Sequence, residues 1–289
     1  MSSTRERRQR ELAAARAARQ AQRRREAHLR QRKRVTVIAA VVVVAIVGSV
    51  IASVLLSGGS DDNNEITSTS PSATQTATTP TTSALPAGQT SKVGDCVYTS
   101  SGEAPSRQVS LPTAAATVNK NPATMVITTD QGTITAALDA DKAPCTVNAL
   151  RSLAEAGFYT DTACHRQTGG ADAGISVLQC GDPTATGTGG PGFGYANENT
   201  EGVNYNRGVL AMAHSSQPDS NGSQFFINYA DPSADGASAL AGGYTVFGHI
   251  TEGLDVLDKL TSPGVEGGGS DGTPASKAQI KSIEINQEQ

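Results

Sequence analysis

The sequence predicts a mainly β fold: a closed antiparallel β-barrel capped by two helices, reached through an N-terminal transmembrane helix and a disordered linker. Three observations predict it. From residue 123 onward, short apolar segments with strand-like alternation recur between Gly-, Asn- and Pro-containing turns. Only two stretches of that region carry helical spacing, and many short strands with two helices suit a barrel with capped ends. The first 91 residues, by contrast, fall into a basic, an apolar and a Ser/Thr-rich block, none patterned like a globular core.

Residues 1–34 hold 13 of the 23 Lys and Arg against three acids, Glu6, Glu11 and Glu26, a net +10; the rest of the chain carries 10 basic and 24 acidic residues, a net −14. The basic segment reads as a cytoplasmic topology signal that attracts anionic lipid. A nucleic-acid tail is its competing role, but an acidic main domain does not suit the phosphate backbone, so no nucleic-acid partner is expected. Val35–Leu56 is 22 residues without a charge. As a helix it would span roughly 33 Å, enough for a bilayer core. Arg30, Arg32, Lys33 and Arg34 precede it, and Asp61, Asp62 and Glu65 follow. The positive-inside rule then places the N-terminus in the cytoplasm and the rest outside, as a single-pass cell-membrane protein. The run is longer, and begins later, than the apolar core of a cleaved signal peptide.

Residues 57–91, rich in Ser, Thr, Pro and Ala, bury too little to fold and read as a spacer. Residues 92–122 show strand-like pieces and Cys96 without a clear period, and form an N-terminal extension of the domain that spans 123–289. Met125–Thr129 and Thr133–Leu138 around Asp130-Gln131-Gly132 predict a hairpin. Pro144–Ala156 predicts a helix: Pro144 suits its first turn, Val147, Leu150, Leu153 and Ala154 recur at helical spacing, and Gly157 can end it. Strands are expected at Ala163–Arg166, Ser176–Cys180, Val209–Ala213, Gln224–Asn228 and Tyr244–Ile250. A second helix is expected at Gly253–Leu260 with Leu254, Leu257 and Leu260 inward, and a last strand at Ile280–Ile285.

Four cysteines, Cys96, Cys145, Cys164 and Cys180, suit two disulfides in an exported domain. Three pairings are possible, and Cys145–Cys164 with Cys96–Cys180 is preferred over the others. Four reduced thiols are the competing reading. No CxxC pair or His cluster has zinc-site spacing, so no metal is expected.

Two glycine-rich matches carry no chemistry. Gly187-Thr-Gly189-Gly-Pro-Gly192 fits GxGxxG, but Asp182-Pro183 precedes it and Pro191 interrupts it, where a dinucleotide site needs a strand before and a helix after. Gly268-Gly-Ser270-Asp-Gly272 fits GxSxG without the apolar strand that a nucleophile elbow requires. A serine hydrolase is therefore the distant reading.

Three other segments act together: Cys164-His165-Arg166; Val177-Leu-Gln179-Cys-Gly-Asp-Pro183; and Leu210-Ala-Met-Ala213-His214 with Asn221-Gly-Ser-Gln224-Phe-Phe226-Ile227, then Tyr244-Thr-Val-Phe-Gly248. Strand alternation puts Gln224 and Phe226 on one face and Phe225 and Ile227 on the other. Val177 and Gln179 likewise oppose Leu178 and Cys180. If the two Gln-bearing faces adjoin Arg166, an apolar pocket forms with an Arg and two amides at its rim. Such a site suits a proline ring beside a polarised amide, and offers no nucleophile, metal or acid/base pair. Alternation turns His165 away from Arg166 as a satisfied core histidine, and His249 reads as structural or exposed.

These segments resemble the cyclophilins, from about residue 123 to 286, and their wording is similar to the membrane-anchored B-type isomerases of actinobacteria. The resemblance implies a peptidyl-prolyl cis/trans isomerase acting on proline-containing peptides and folding extracytoplasmic proteins, without cofactor and as a monomer. It implies Arg166 as the catalytic arginine and Gln179 as the glutamine that contacts it and the substrate. Phe226 matches the floor of the proline pocket, Leu240 its apolar wall, and Ala213 and His214 the edge that binds substrate backbone. Gln224 matches a second polar contact, Tyr244 stands where His or Tyr is common, and Val177 replaces a Met. The chain departs from the pattern in four ways. The Phe before that Met position is missing, extra residues fall within Gln167–Gly174, His214 replaces a common Asn, and Ala239 stands where some members carry Trp, which implies weakened cyclosporin binding. The missing Phe and loosened loop motivate the alternative, a proline-binding chaperone module without turnover.

Overall fold

The computed structural model describes residues 82–170 and 173–288. The expectations for 1–34, for 35–56 and for most of 57–91 lie outside the described residues, among which no helix is long and apolar enough to cross a membrane.

The extension is structured. β1 (Thr90–Val93) starts just inside the expected linker and forms a hairpin with β2 (Cys96–Ser100). In β2 the alternation is strict, with Cys96, Tyr98 and Ser100 buried between exposed Val97 and Thr99. Val93, Cys96, Tyr98 and Val109 enter the same core as the barrel, so extension and barrel share one hydrophobic interior. β2 also pairs with β8 (Phe193–Gly194), a two-residue strand from a later loop.

The main sheet begins with the expected hairpin, β3 (Ala123–Thr129) and β4 (Gly132–Leu138), in continuous register from Ala123 opposite Leu138 to Thr129 opposite Gly132. Its other strands are β5 (Thr162–Ala163), β6 (Arg166–Thr168), β7 (Val177–Cys180), β9 (Val209–Met212), β10 (Phe225–Asn228), β11 (Val246–Glu252), β12 (Asp271–Gly272) and β13 (Gln279–Gln287). The spatial order is β12-β6-β7-β10-β9-β11-β4-β3-β13-β5. Each strand predicted from alternation is present within a few residues, except that Ala163–Arg166 is two strands rather than one. The reason is closure. Cys164 N–H donates to Ala278 O beside β13, while His165 N–H donates to Gln179 O on β7. Two consecutive amides thus face opposite margins, and the curled sheet is bridged by the segment 162–168 in place of the continuous ladder of a closed barrel.

α1 (Pro144–Glu155) buries Val147, Leu150 and Leu153 as expected. It has no capping side chain of its own and no acid in its first turn. Glu198 supplies both from afar, accepting from Cys145 N, Thr146 N and Thr146 Oγ1 at 2.8–3.0 Å. Burial pushes the Glu198 carboxyl up, and those amides offset part of the rise. Between β10 and β11 lies α2 (Ala234–Leu240), a short helix whose Ala/Gly/Ser composition carries too weak an apolar stripe to have been predicted. α3 (Leu254–Thr261) is the second expected helix, but Leu254 is 37% exposed; Val256, Leu257, Leu260 and Thr261 face inward instead. Among the described residues, three α-helices rather than two therefore accompany the sheet.

The disulfides are Cys96–Cys145 and Cys164–Cys180, which corrects the preferred pairing. Antiparallel pairing of β6 with β7 sets Arg166 opposite Gln179, and so brings Cys164 and Cys180 together just beyond that pair, with Cα atoms 4.0 Å apart. Cys96 sits in β2, whose Tyr98 hydroxyl donates to Cys145 O at the start of α1. The pairings follow from strand neighbours that spacing does not reveal.

Candidate active site

A single row of paired residues crosses the sheet: Arg166 opposite Gln179, Gln179 opposite Phe226, Phe226 opposite Ala211, and Ala211 opposite Val246. Paired residues in register share a face. The opposite face, with Leu178, Cys180, Phe225 and Ile227, belongs to the main core. The row's own face builds a second apolar cluster of Val177, Tyr205, Ala211, Phe226, Leu240 and Val246, with Ile175, Ala213 and Tyr244 half-buried against it. The alternation predicted this division residue by residue. Tyr244 stands edge-on to Phe226 with ring centroids 5.5 Å apart, and its backbone O accepts from the Tyr205 hydroxyl at 2.9 Å.

Polar groups line up at one end of this cluster. Arg166 Nη1 donates to Gln179 Oε1 at 3.3 Å, and Gln179 Nε2 donates to Gln224 Oε1 at 2.9 Å. Gln224 Nε2 donates in turn to the carbonyls of Gly187 and Gly189, at 3.0 and 2.9 Å. Each amide is thereby held one way round. Both Gln side chains and Arg166 are half-buried.

Two carboxylates complete the set. Asp271 accepts from Arg166 Nε and Nη2 at 2.7 and 2.8 Å, and from Thr168 Oγ1 at 3.1 Å. The paired bonds to Asp271 hold the guanidinium above its usual range, and the same bonds hold the Asp271 carboxyl below the usual carboxylate range. Of the five guanidinium N–H donors, Asp271 and Gln179 use three, which leaves one on each Nη. Asp182 is fully buried. Burial pushes its carboxyl up, but bonds from Thr184, Gly189 and Gly187 outweigh that and hold it below the usual range. Thr186 donates to it as well. Asp182 thus ties down the loop whose carbonyls orient Gln224. Gly189 is required there, because a Cβ would collide with the Asp182 carboxylate and with Ser106 Oγ. The GxGxxG match is this loop, without the flanks of a dinucleotide site.

The remaining expected residues lie at the margin. Ala213 N–H donates to Gln224 O at 2.9 Å. The His214 ring is used, and not only its backbone: its two nitrogens face Gly243 O at 2.6 Å and Ser215 O at 2.7 Å, and the ring lies 4.9 Å from that of Tyr244. His249 is exposed. His165 is not satisfied: both ring nitrogens are buried without a hydrogen-bond partner, and burial pushes it down, with the nearby Asp182 opposing and Arg166 adding to the shift. Ala239 is exposed on α2. Sequence reasoning missed Asp271 and Asp182. The first sits inside the GxSxG match, which was read only for a nucleophile; the second follows Gln179 in a segment read for its amide alone. Cys96, Cys145 and Glu198 cluster as metal ligands might, but the two sulfurs are bonded to each other.

Residues 124–285 match the family model described as cyclophilin type peptidyl-prolyl cis-trans isomerase/CLD. A probable peptidyl-prolyl cis-trans isomerase B of Mycobacterium leprae is 41% identical over 66% of this chain and 67% of its own length. The protein of the same description from Mycobacterium tuberculosis is 42% identical over 65% of this chain and 63% of its own, so just under two thirds of that relative is spanned. Among solved structures, a Cryptosporidium parvum cyclophilin type isomerase is 28% identical with a TM-score of 0.48, covering 58% of this chain and 99% of that one. A match over more than half the length, reinforced by relatives at this identity, means that the chain belongs to the cyclophilin-type peptidyl-prolyl cis/trans isomerase family.

Proposed function

We propose that this isomerase accelerates Xaa-Pro rotation by stabilising the twisted amide with Arg166, while the proline ring rests on Phe226 among Val177, Leu240 and Tyr244. The observation that carries the reading is the row Arg166–Gln179–Phe226, which places two free guanidinium donors beside an apolar cluster. The uncatalysed barrier is about 18–20 kcal/mol because amide resonance must break. No covalent bond is made, so the enzyme needs only to favour the twisted state over both planar ones. Twisting localises a lone pair on the proline nitrogen, and Arg166 can donate to it or to the adjacent carbonyl. A charged hydrogen bond contributes about 1.5–3 kcal/mol, and an acceleration of roughly 10⁵ needs about 7 kcal/mol. The remainder comes from donors already oriented before the amide twists. Gln179 and Gln224 keep those donors fixed, and Ala213 and His214 form the edge along which substrate backbone lies.

Exchange NMR of a short Xaa-Pro peptide tests this with the full-length chain and with Arg166→Ala. The variant should lose about 10- to 150-fold in rate, the value of one charged hydrogen bond. A folded variant with unchanged rate would remove Arg166 from the mechanism.

We propose further that the enzyme acts as a monomer outside the cytoplasm, tethered by residues 35–56. The apolar run with its charge asymmetry supports the tether, and two disulfides in a small folded unit support an oxidising compartment. Resistance to carbonate extraction, with protease sensitivity from the outer face of intact cells, is expected; a carbonate-soluble protein would refute the tether.

A further inference from the structure

The half-buried His214 ring lies between two backbone carbonyls, with Nδ1 2.7 Å from Ser215 O and Nε2 2.6 Å from Gly243 O. A carbonyl oxygen accepts hydrogen bonds and never donates. A neutral imidazole has one N–H, so it can satisfy one of these oxygens and must turn a nitrogen lone pair on the other. The imidazolium, with an N–H on each nitrogen, satisfies both. Each carbonyl also has a second donor: Ser220 Oγ donates to Ser215 O at 3.2 Å, and Asn197 Nδ2 to Gly243 O at 3.2 Å. The contact to Gly243 reaches across 29 residues and joins the edge at 213–215 to the turn between α2 and β11. That turn carries Tyr244, whose ring lies 4.9 Å from the His214 ring, tilted by 36°, and 5.5 Å from Phe226, edge-on. A positive charge this close to an aromatic ring is attracted by the ring's negative face. His214 therefore reaches the floor of the proline pocket through Tyr244.

We propose that His214 is a positioning residue whose doubly protonated ring clasps the Gly243 carbonyl, holds Tyr244 against Phe226, and so makes affinity for proline peptides depend on pH. Histidine changes charge between about pH 5 and 8. The clasp is closed at the acid end of that range, and loses one of its two bonds at the alkaline end. Affinity should therefore fall as pH rises. The titratable groups around the ring are few. Tyr244 stands on the turn, Asp219 on the 215–220 loop lines the same cleft, and Glu198 follows Asn197. Glu198 is committed to the start of α1. β9, β10 and the turn 240–245 carry no charged residue. Among the described residues no carboxylate forms an ion pair with the ring, so the second proton is held by carbonyl oxygens alone. This role rests on the isomerase reading of the Phe226 pocket, but the clasp is measured apart from turnover.

The test uses the full-length chain and a labelled Xaa-Pro peptide that has no group titrating in this range. Nitrogen NMR of the imidazole rings, with His214 assigned by its loss in His214→Asn, counts the protons on each ring nitrogen. Affinity is read by fluorescence anisotropy and turnover by exchange NMR. At about pH 5 both His214 nitrogens should carry protons, and the peptide should bind about two- to tenfold more tightly than at about pH 8, the worth of one net hydrogen bond. The rate at saturation should change less, because the ring makes no hydrogen bond to Arg166, Gln179 or Gln224. His214→Asn should abolish the slope of affinity against pH, while Glu198→Gln, Asp219→Asn and His165→Leu should keep it. A single proton on the ring throughout the range overturns the proposal, as does equal affinity at both ends or a slope that survives His214→Asn. Should that variant not fold, the parent decides: ring titration and affinity must share one midpoint, and separate midpoints overturn the clasp. If ring and affinity behave as expected but the parent accelerates no peptide, the clasp stands and the isomerase reading falls.

Discussion

Asp271 grips Arg166 through two parallel hydrogen bonds, Nε to Oδ1 at 2.7 Å and Nη2 to Oδ2 at 2.8 Å. The two side chains are 48% and 43% exposed, so as a salt bridge the pair adds little to stability, about 0–1 kcal/mol. Its effect is orientation: a forked contact sets the plane of the guanidinium as a single bond cannot. Asp271→Ala should therefore leave the melting temperature nearly unchanged and lower kcat by about tenfold or more through misplacement of the donors. KM should change less, because the Phe226 cluster is untouched. Asp271→Asn, which keeps one acceptor, should fall between. A kcat equal to the parent's in the alanine variant would show that Gln179 alone orients Arg166.

The same pair has a pH signature. Arg166 holds the Asp271 carboxyl below its ordinary range. The pair is therefore intact above about pH 3.9, the unfolded value, and is lost as pH falls through the lower folded value. Activity of the parent should persist on acidification to about pH 5, the region where an unpaired carboxylate begins to take up protons. A fall in kcat centred above pH 5 that vanishes in Asp271→Asn would contradict the shift.

Much of this site was legible in the sequence because alternation is a local property. Once Gln224 and Phe226 are read as one face and Val177 and Gln179 as another, the Phe226 cluster follows wherever the two strands pair. Asp271 was not legible, since its role arises from β12 lying beside β6, a contact 105 residues apart along the chain. The disulfide pairing failed for the same reason, and so did the split of Ala163–Arg166 across the two sheet margins. Leu254 was misplaced by a shift in the inward stripe of α3, where Val256 and Thr261 take the buried positions. The short α2 carries Leu240 into the pocket, although Ala234–Ala239 hardly differs in composition from a loop.

Asp182 should be the most sensitive polar position in the loop. Its buried carboxylate accepts from the backbone of Thr184, Thr186, Gly187 and Gly189 and from two threonine hydroxyls. Asp182→Ala would strand these donors, with an expected loss of about 3–5 kcal/mol by urea unfolding. The Gly187 and Gly189 carbonyls would also lose their placement, and with them Gln224. Gln224→Ala serves as the comparison, because it removes the amide and leaves the loop anchored. Both variants should lower kcat, while only Asp182→Ala should lose stability on this scale.

His165 makes stability depend on pH in a window of its own. Burial holds its proton affinity below the ordinary value, and Arg166 nearby pushes the same way. Below about pH 6.5 the unfolded chain takes up a proton at this residue and the folded chain does not. Stability should therefore fall as pH drops below about 6.5, and this contribution should level off once the folded value is passed. His165→Leu, which leaves Asp182 and Arg166 in place, should flatten the melting temperature between about pH 7.5 and 5.5 relative to the parent. Parallel pH curves for the two proteins would assign the slope elsewhere.

The two disulfides should separate in their effects. Cys96–Cys145 closes 49 residues and ties the extension to α1, while Cys164–Cys180 closes 16 and ties the sheet seam two residues before Arg166 and one after Gln179. Loop-closure entropy gives about 4 kcal/mol for the first and about 3 kcal/mol for the second. Cys96→Ser/Cys145→Ser should therefore cost at least as much stability, yet leave the Arg166–Gln179 pairing intact and turnover of a short peptide near the parent's. Cys164→Ser/Cys180→Ser frees the segment that carries Arg166 from the strand that carries Gln179. It should lower kcat well before the protein unfolds, read by exchange NMR at a temperature where circular dichroism shows the fold retained. Equal kcat in the two double variants would mean that the ladder between β6 and β7 holds Arg166 without the covalent link.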